Sequence, residues 1–281
     1  MTAVERFPPN ASLLSGRPDR RGNFIVRVEA ETPRVLKVYR GRRGALKDAL
    51  TSFSGQVFEG KRPVDPAARR ETERRSLEIW AREGFSVPRL FGEAPPEWVE
   101  GPSLWLELTP GPRLSDVLQD PGVSMARKVR LARALARETH ARHRRALELN
   151  EPLLLPEHPT TKHVLVQADE RLVTIDFEGG YDSGYPVLFA LAQELAGVLR
   201  SIPPIETRAG LGDRFLDAYG DEDLLESACA AYFSMQPARA LRRLSDRVRR
   251  RRSKSATMAE VWRRVTEHVP FGSSLALPTL D

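Results

Sequence analysis

The chain is 281 residues long, with a single cysteine, Cys229, and no apolar run long enough to span a bilayer. One cysteine excludes an internal disulfide, so the fold must be held by its core. The longest apolar stretch, Val187 to Leu199, is interrupted by Gln193 and Glu194 and falls short of the roughly 20 residues a membrane helix needs. The N-terminus is polar and proline-bearing, with none of the hydrophobic character of a signal peptide, so cytoplasmic residence is expected. Internal repeats and low-complexity tracts are also missing. What is present, 41% hydrophobic and 29% charged residues, is the balance of a soluble globular protein with enough length for one large domain or two lobes.

The basic character is concentrated in one place. Arg239 to Lys254 holds nine Arg or Lys against one Asp, while the whole chain carries a net charge of only +6, so the rest is weakly acidic. Leu241, Leu244 and Val248 recur at helical spacing there, which predicts a helix with a narrow apolar stripe and an arginine-rich outer face. Such a face suits a nucleic acid or an anionic membrane surface, and equally a solvated helix.

The chemistry is expected in His158 to Glu178, HPTTKHVLVQADERLVTIDFE. Val164 to Val166 and Leu172 to Phe177 read as two strands, joined by a turn centred on Ala168 and Asp169. This hairpin delivers one carboxylate, Asp176, to its far end beside the polar residues Thr160 to His163, an arrangement suited to a metal and phosphate. Upstream, PRVLKVYR (Pro33 to Arg40) alternates so that Val35, Lys37 and Tyr39 share one face of a strand. A lysine flanked by apolar neighbours either snorkels to solvent or meets an anion. Pro66 to Gly84 reads as a helix with a glycine stop, and at helical spacing Glu73 lines up with Leu77 and Trp80 on the apolar face. A carboxylate there wants a cation, and Lys37 is the candidate.

This order of parts resembles the protein-kinase-like superfamily, and within it the small atypical bacterial and archaeal branches: lipopolysaccharide sugar kinases, RIO-like and tRNA-modification-complex kinases, and aminoglycoside phosphotransferases. The GFSVPRLFGE segment after the Glu73 helix resembles their Gly-Ile-x-Val-Pro stretch, and Leu104 to Leu118 resembles their hinge strand and following helix. The resemblance covers roughly residues 10 to 220. It implies an α+β, two-lobed protein-kinase-like fold: a small β-rich N-lobe with one main helix at 1–107, and a larger helical C-lobe containing a β-hairpin at 108–281.

It also implies ATP with Mg2+ or Mn2+. In that scheme Lys37 and Glu73 orient the phosphates, Gly16 lies in the phosphate-covering turn, and Glu107 and Leu108 form the hinge. Asp176 holds the metal and His163 assists it. Where the pattern has an Asp as catalytic base, this chain has His158; where it has an Asn, His163. His158 then receives the acceptor proton, with Glu157 as second candidate and Lys162 as a cation for the transferring phosphate. Ala190 occupies the place of an Asp that braces this loop in the family, so either the loop has been rebuilt or catalysis abandoned. Two outcomes follow. One is a phosphotransferase whose acceptor is a protein side chain, a small molecule or a nucleic acid. The other is a pseudokinase that binds nucleotide or serves as a scaffold. A third possibility, a metal hydrolase, would draw on His140, His143, His158, His163 and Asp176.

Overall fold

A computed structural model describes residues 7–16, 22–41, 65–181, 184–203, 210–234 and 258–268. The basic stretch 239–254 lies outside the described residues. The chain divides into two compact units. One contains the described residues up to Gly111 plus the segment beginning at Val173; the other contains Pro112–Leu172 and the described residues from Gly184 onward.

The first unit is built on a five-stranded antiparallel sheet of Ala11–Ser15 (β1), Phe24–Val28 (β2), Arg34–Val38 (β3), Leu90–Phe91 (β4) and Ser103–Glu107 (β5), in the order β1-β2-β3-β5-β4. Phe24 pairs with Val38 and Val26 with Leu36, and these four side chains form a core on one face with Trp98, Val99 and Trp105 against it. The pleat sends the alternate residues of β3, Val35 and Lys37, to the opposite face, opposite Leu106 and Leu104 of β5. That face is served by the helix Pro66–Arg82 (α1), which starts at an Asp65 cap accepting from the Ala68 N–H and carries Pro in its first turn. Gly84 follows at φ +83°, the left-handed stop that glycine adopts without strain. Glu73, Leu77 and Trp80 are all buried, as the helical spacing predicts.

The second unit is helical: Leu114–Gln119 (α2), Met125–Leu149 (α3), Val187–Ser201 (α4), Leu211–Tyr219 (α5), Glu222–Ser234 (α6) and Met258–His268 (α7). Ser124 caps the start of the long basic α3, and Asn150, at φ 50°, ends it in the left-handed conformation. The lone Cys229 is buried in α6, where burial pushes its thiol up to about 12. The fold class is α+β, with a sheet-bearing unit carrying one main helix, a helical unit, and a separate β-hairpin of Val164–Val166 and Leu172–Thr174. Among the described residues no helix is long and apolar enough to cross a membrane.

The hairpin itself differs from expectation in two details. Val164–Val166 (β6) and Leu172–Thr174 (β7) do pair, but the Gln167 N–H donates to the Arg171 carbonyl at 2.9 Å, and Glu170 sits at φ 65°. The turn is centred on Ala168 and Asp169 as expected, closed by the Glu170 N–H on the Gln167 carbonyl at 3.0 Å, but the left-handed Glu170 after it makes the loop three residues long and shifts the strand register by one. The second strand also stops at Thr174, two residues before Asp176.

The helices of the second unit enclose a buried polar network. Arg142 of α3 donates to both carboxylate oxygens of Glu194 on α4 and, at 2.9 Å, to the Leu154 carbonyl. His143 joins it, with Nδ1 2.9 Å from the Tyr219 hydroxyl and Nε2 3.2 Å from Glu194. Half-buried Glu138, one turn before Arg142, has its carboxyl pushed up to about 7, by burial first and then by Glu194, against the pull of Arg142. It holds its proton more tightly folded than unfolded, so its contribution to stability is complete below about pH 4.5 and lost as pH rises through 7. Glu138→Gln should therefore raise the melting temperature at pH 8 and leave it nearly unchanged at pH 4.5. An equal shift at both values would exclude this origin.

Candidate functional site

The first unit brings a cluster of charged side chains together around Lys37. Its ammonium donates to Glu73 Oε2 at 2.7 Å and to Asp176 Oδ1 at 2.5 Å, and lies 3.9 Å from Glu178 Oε2. Lys37 is 4% exposed and Glu73 1%, so the alternative of a solvent-facing edge lysine is excluded. Burial works against the ammonium charge, but Glu73 and Asp176 outweigh it and hold the lysine above its ordinary value. The Tyr39 hydroxyl donates to the same Glu73 oxygen at 2.7 Å; burial, and then Glu73, push that phenol well up, so it remains a donor. Glu73 is thereby fixed from two sides, and it in turn fixes Lys37.

Asp176 is only partly buried and stands at φ 70°, a left-handed position unusual for a residue with a side chain. It is held on both sides: the Thr174 N–H donates to the Ser86 carbonyl at 3.1 Å, and Phe177 packs edge-on against Trp80 at 4.7 Å. The left-handed turn presents the carboxylate to Lys37, which compensates the strain.

Glu178 is the residue that sequence reasoning missed. It is buried, accepts from Asn23 Nδ2, and its carboxylate lies within 4.8 Å of the nearest Asp176 and Glu73 ligand atoms. Asn23 in turn accepts from the Arg69 guanidinium, which also donates to the Arg40 carbonyl at 3.0 Å. A second acid two places after Asp176 was the available signal. Nothing in the sequence indicated that Asn23, 155 positions away, would receive it.

Gly16 ends β1 at φ 82°, where a Cβ would lie 2.3 Å from the Asn23 carbonyl oxygen. The glycine is thus demanded by the close approach of β2. Gly16→Ala should cost more than about 1 kcal/mol in denaturant unfolding, because strain and overlap add; an unchanged midpoint would refute the close approach. Glu107 and Leu108 lie at the far end of β5, where Glu107 pairs with Arg34 while Lys37 pairs with Leu104. Their N–H groups are committed within the unit, Glu107 to the Arg89 carbonyl and Leu108 to that of Pro33.

The second unit holds the remaining predicted residues. Thr161–His163 is a single 3-10 turn before β6, capped by the Thr160 hydroxyl. His163 Nδ1 is 3.1 Å from the His158 carbonyl, which can only accept, so Nδ1 carries a proton and donates. The His158 side chain is 53% exposed, with Nε2 3.6 Å from the Glu157 carboxylate, too long for a hydrogen bond. Lys162 is exposed. The hydrolase reading does not survive. His140 pairs with Asp221 at 2.9 Å and His143 is enclosed in the buried network, so neither is a ligand. Among the described residues the cluster with metal-ligand spacing is Glu73, Asp176 and Glu178, all oxygen donors.

No family model and no curated protein matches this chain. Among solved structures it is similar to WaaP in complex with acyl carrier protein, at 16% identity and a TM-score of 0.44, over 84% of this chain and 92% of that one.

Proposed function

We propose that the chain is an ATP-dependent phosphotransferase of kinase-like organisation that works with Mg2+ or Mn2+. The observation that carries this reading is the buried lysine shared between Glu73 at 2.7 Å and Asp176 at 2.5 Å. An ammonium fixed by a helix glutamate beside a partly exposed carboxylate is a preorganised pair for a phosphate oxygen and its cation. The donor set fits the ion, since hard divalent cations take oxygen ligands and the cluster offers only carboxylates. Asp176 would hold it, with Glu178 as the neighbouring acid; bound there, the ion would neutralise charge on the nucleotide phosphates.

The chain's own groups supply the rest. Lys37 orients phosphate oxygens, Glu73 and Tyr39 hold Lys37, Gly16 shapes the covering turn, and Glu107 and Leu108 serve as the hinge. In the second unit, His163 is the residue that this reading assigns to assist the metal. His158, with Glu157 beside it, accepts the proton of the acceptor hydroxyl, and Lys162 offers a cation to the transferring phosphate. An imidazole is a competent base near neutral pH, so loss of the loop carboxylate is compatible with turnover.

The second reading, nucleotide binding without transfer, is favoured by that same substitution of His158 for a carboxylate. ATP with Mg2+ should raise the melting temperature of the wild type, by about 2.7 kcal/mol of added stability at 100 times the Kd. Asp176→Asn should abolish the Mg2+-dependent part. Binding accompanied by ATP turnover supports the transferase; binding without turnover supports the second reading; no binding refutes both.

A further inference from the structure

The loop that carries His158 and His163 lacks the acidic brace expected at position 190, where Ala190 is fully buried within α4. The loop is nevertheless anchored to the same helix, further along. The Thr161 N–H donates to Ser201 Oγ at 2.9 Å, and the Thr161 hydroxyl donates to the Ser201 carbonyl at 3.1 Å. Ser201 itself donates to the Val198 carbonyl at 2.8 Å, which aims its oxygen lone pairs outward from the last turn of α4. Thr161 is 1% exposed. One turn earlier, Gly197 packs directly on Pro159, so closely that a Cβ there would lie 2.6 Å from Pro159 Cγ and 3.1 Å from its carbonyl oxygen. The chain entering the loop is held as well, by the Arg142 guanidinium on the Leu154 carbonyl.

We propose that Gly197 and Ser201 are positioning residues that replace the missing acidic brace and set the loop from His158 to His163 in place. This rests on the phosphotransferase reading and deepens it: the loop has been rebuilt on neutral contacts, and the geometry for catalysis has been kept. Gly197 brings the helix backbone to Pro159, next to His158. Thr161 then donates two hydrogen bonds to Ser201. These pin the 3-10 turn from which His163 reaches back to the His158 carbonyl at 3.1 Å. Neither residue is catalytic. Each acts through the backbone of the loop, where a displacement of about 1 Å is enough to cost on the order of 100-fold in rate.

The test compares Ser201→Ala, Ser201→Thr and Gly197→Ala with wild type in full-length protein, reading kcat and KM for ATP in Mg2+-dependent turnover together with amide exchange at Thr161. Ser201→Ala is nearly isosteric, and its melting temperature is measured first. The expected result is a kcat lower by about 10- to 100-fold, an unchanged KM for ATP, and Thr161 exchange faster by roughly tenfold. Ser201→Thr, which keeps the hydroxyl, should restore kcat and protection, and Gly197→Ala should behave like Ser201→Ala. Wild-type kcat in Ser201→Ala, a change confined to KM, or unaltered Thr161 exchange overturns the brace while leaving the transferase reading intact. Failure of the transferase reading shows itself separately, as absence of turnover in the wild type, and the positioning role falls with it.

Discussion

Lys37→Met should lower phosphoryl transfer by about 100- to 1,000-fold, the usual loss when a preorganised electrostatic contact to a reacting centre is removed. The same change should also destabilise the protein, because Glu73, 1% exposed, would keep only the Tyr39 hydroxyl as a partner among the described residues. Breaking a buried ion pair from one side costs about 3–5 kcal/mol. Activity and stability are therefore confounded in the single variant. The double variant Lys37→Met/Glu73→Gln separates them, since a neutral amide can still accept from Tyr39 without leaving a buried charge. It should recover much of the stability and none of the activity. Recovery of turnover together with stability would mean that Lys37 only holds the unit together, and would remove the main support for the transferase reading. The measurement is ATP turnover at saturating Mg2+, with folding of each variant checked by urea unfolding.

Arg142→Met should cost about 3–5 kcal/mol by the same physics. Its guanidinium makes a bidentate pair with Glu194 and satisfies the Leu154 carbonyl, and both charged groups are buried. Burial alone would raise the Glu194 carboxyl; Arg142 and then His143 overcome this and bring it down to about 2. The folded value lies below the unfolded one near 4.5, so the stabilisation is complete above pH 4.5 and is lost as pH falls towards 2. The gap between wild type and Arg142→Met in urea unfolding should therefore be widest near neutral pH and narrow below about 4. A gap of constant size down to pH 2.5 would show that Glu194 is not the partner through which Arg142 acts. Burial holds the His143 imidazole below its ordinary value, against the pull of Glu194.

Several features could be read from the chain because they depend on local periodicity. Alternation in PRVLKVYR put Lys37 and Tyr39 on one face, and helical spacing put Glu73 beside Leu77 and Trp80; both are observed, and with two faces fixed the ion pair follows. The hairpin was legible in existence but not in register, because a left-handed Glu170 lengthens the loop by a residue and composition does not signal that. The spacing of His140 and His143 was equally legible and misled, since their chemistry is set by Asp221, Tyr219 and Glu194, which come from distant parts of the chain.

The sequence by itself therefore determined that Lys37 shares a strand face with Tyr39 and that Glu73 shares a helix face with Leu77 and Trp80, because periods of about 2 and 3.6 residues decide which side chains lie together; the α+β class was what the resemblance implied. Only the tertiary structure decided that Glu178 is held by Asn23 beside Asp176, that Arg142 closes on Glu194, and that the loop of His158 rests on Gly197 and Ser201. Those contacts join residues tens to more than a hundred positions apart. They arise from burial and from the need to pair every buried polar group, a requirement that acts on the folded chain as a whole and leaves no local period to read.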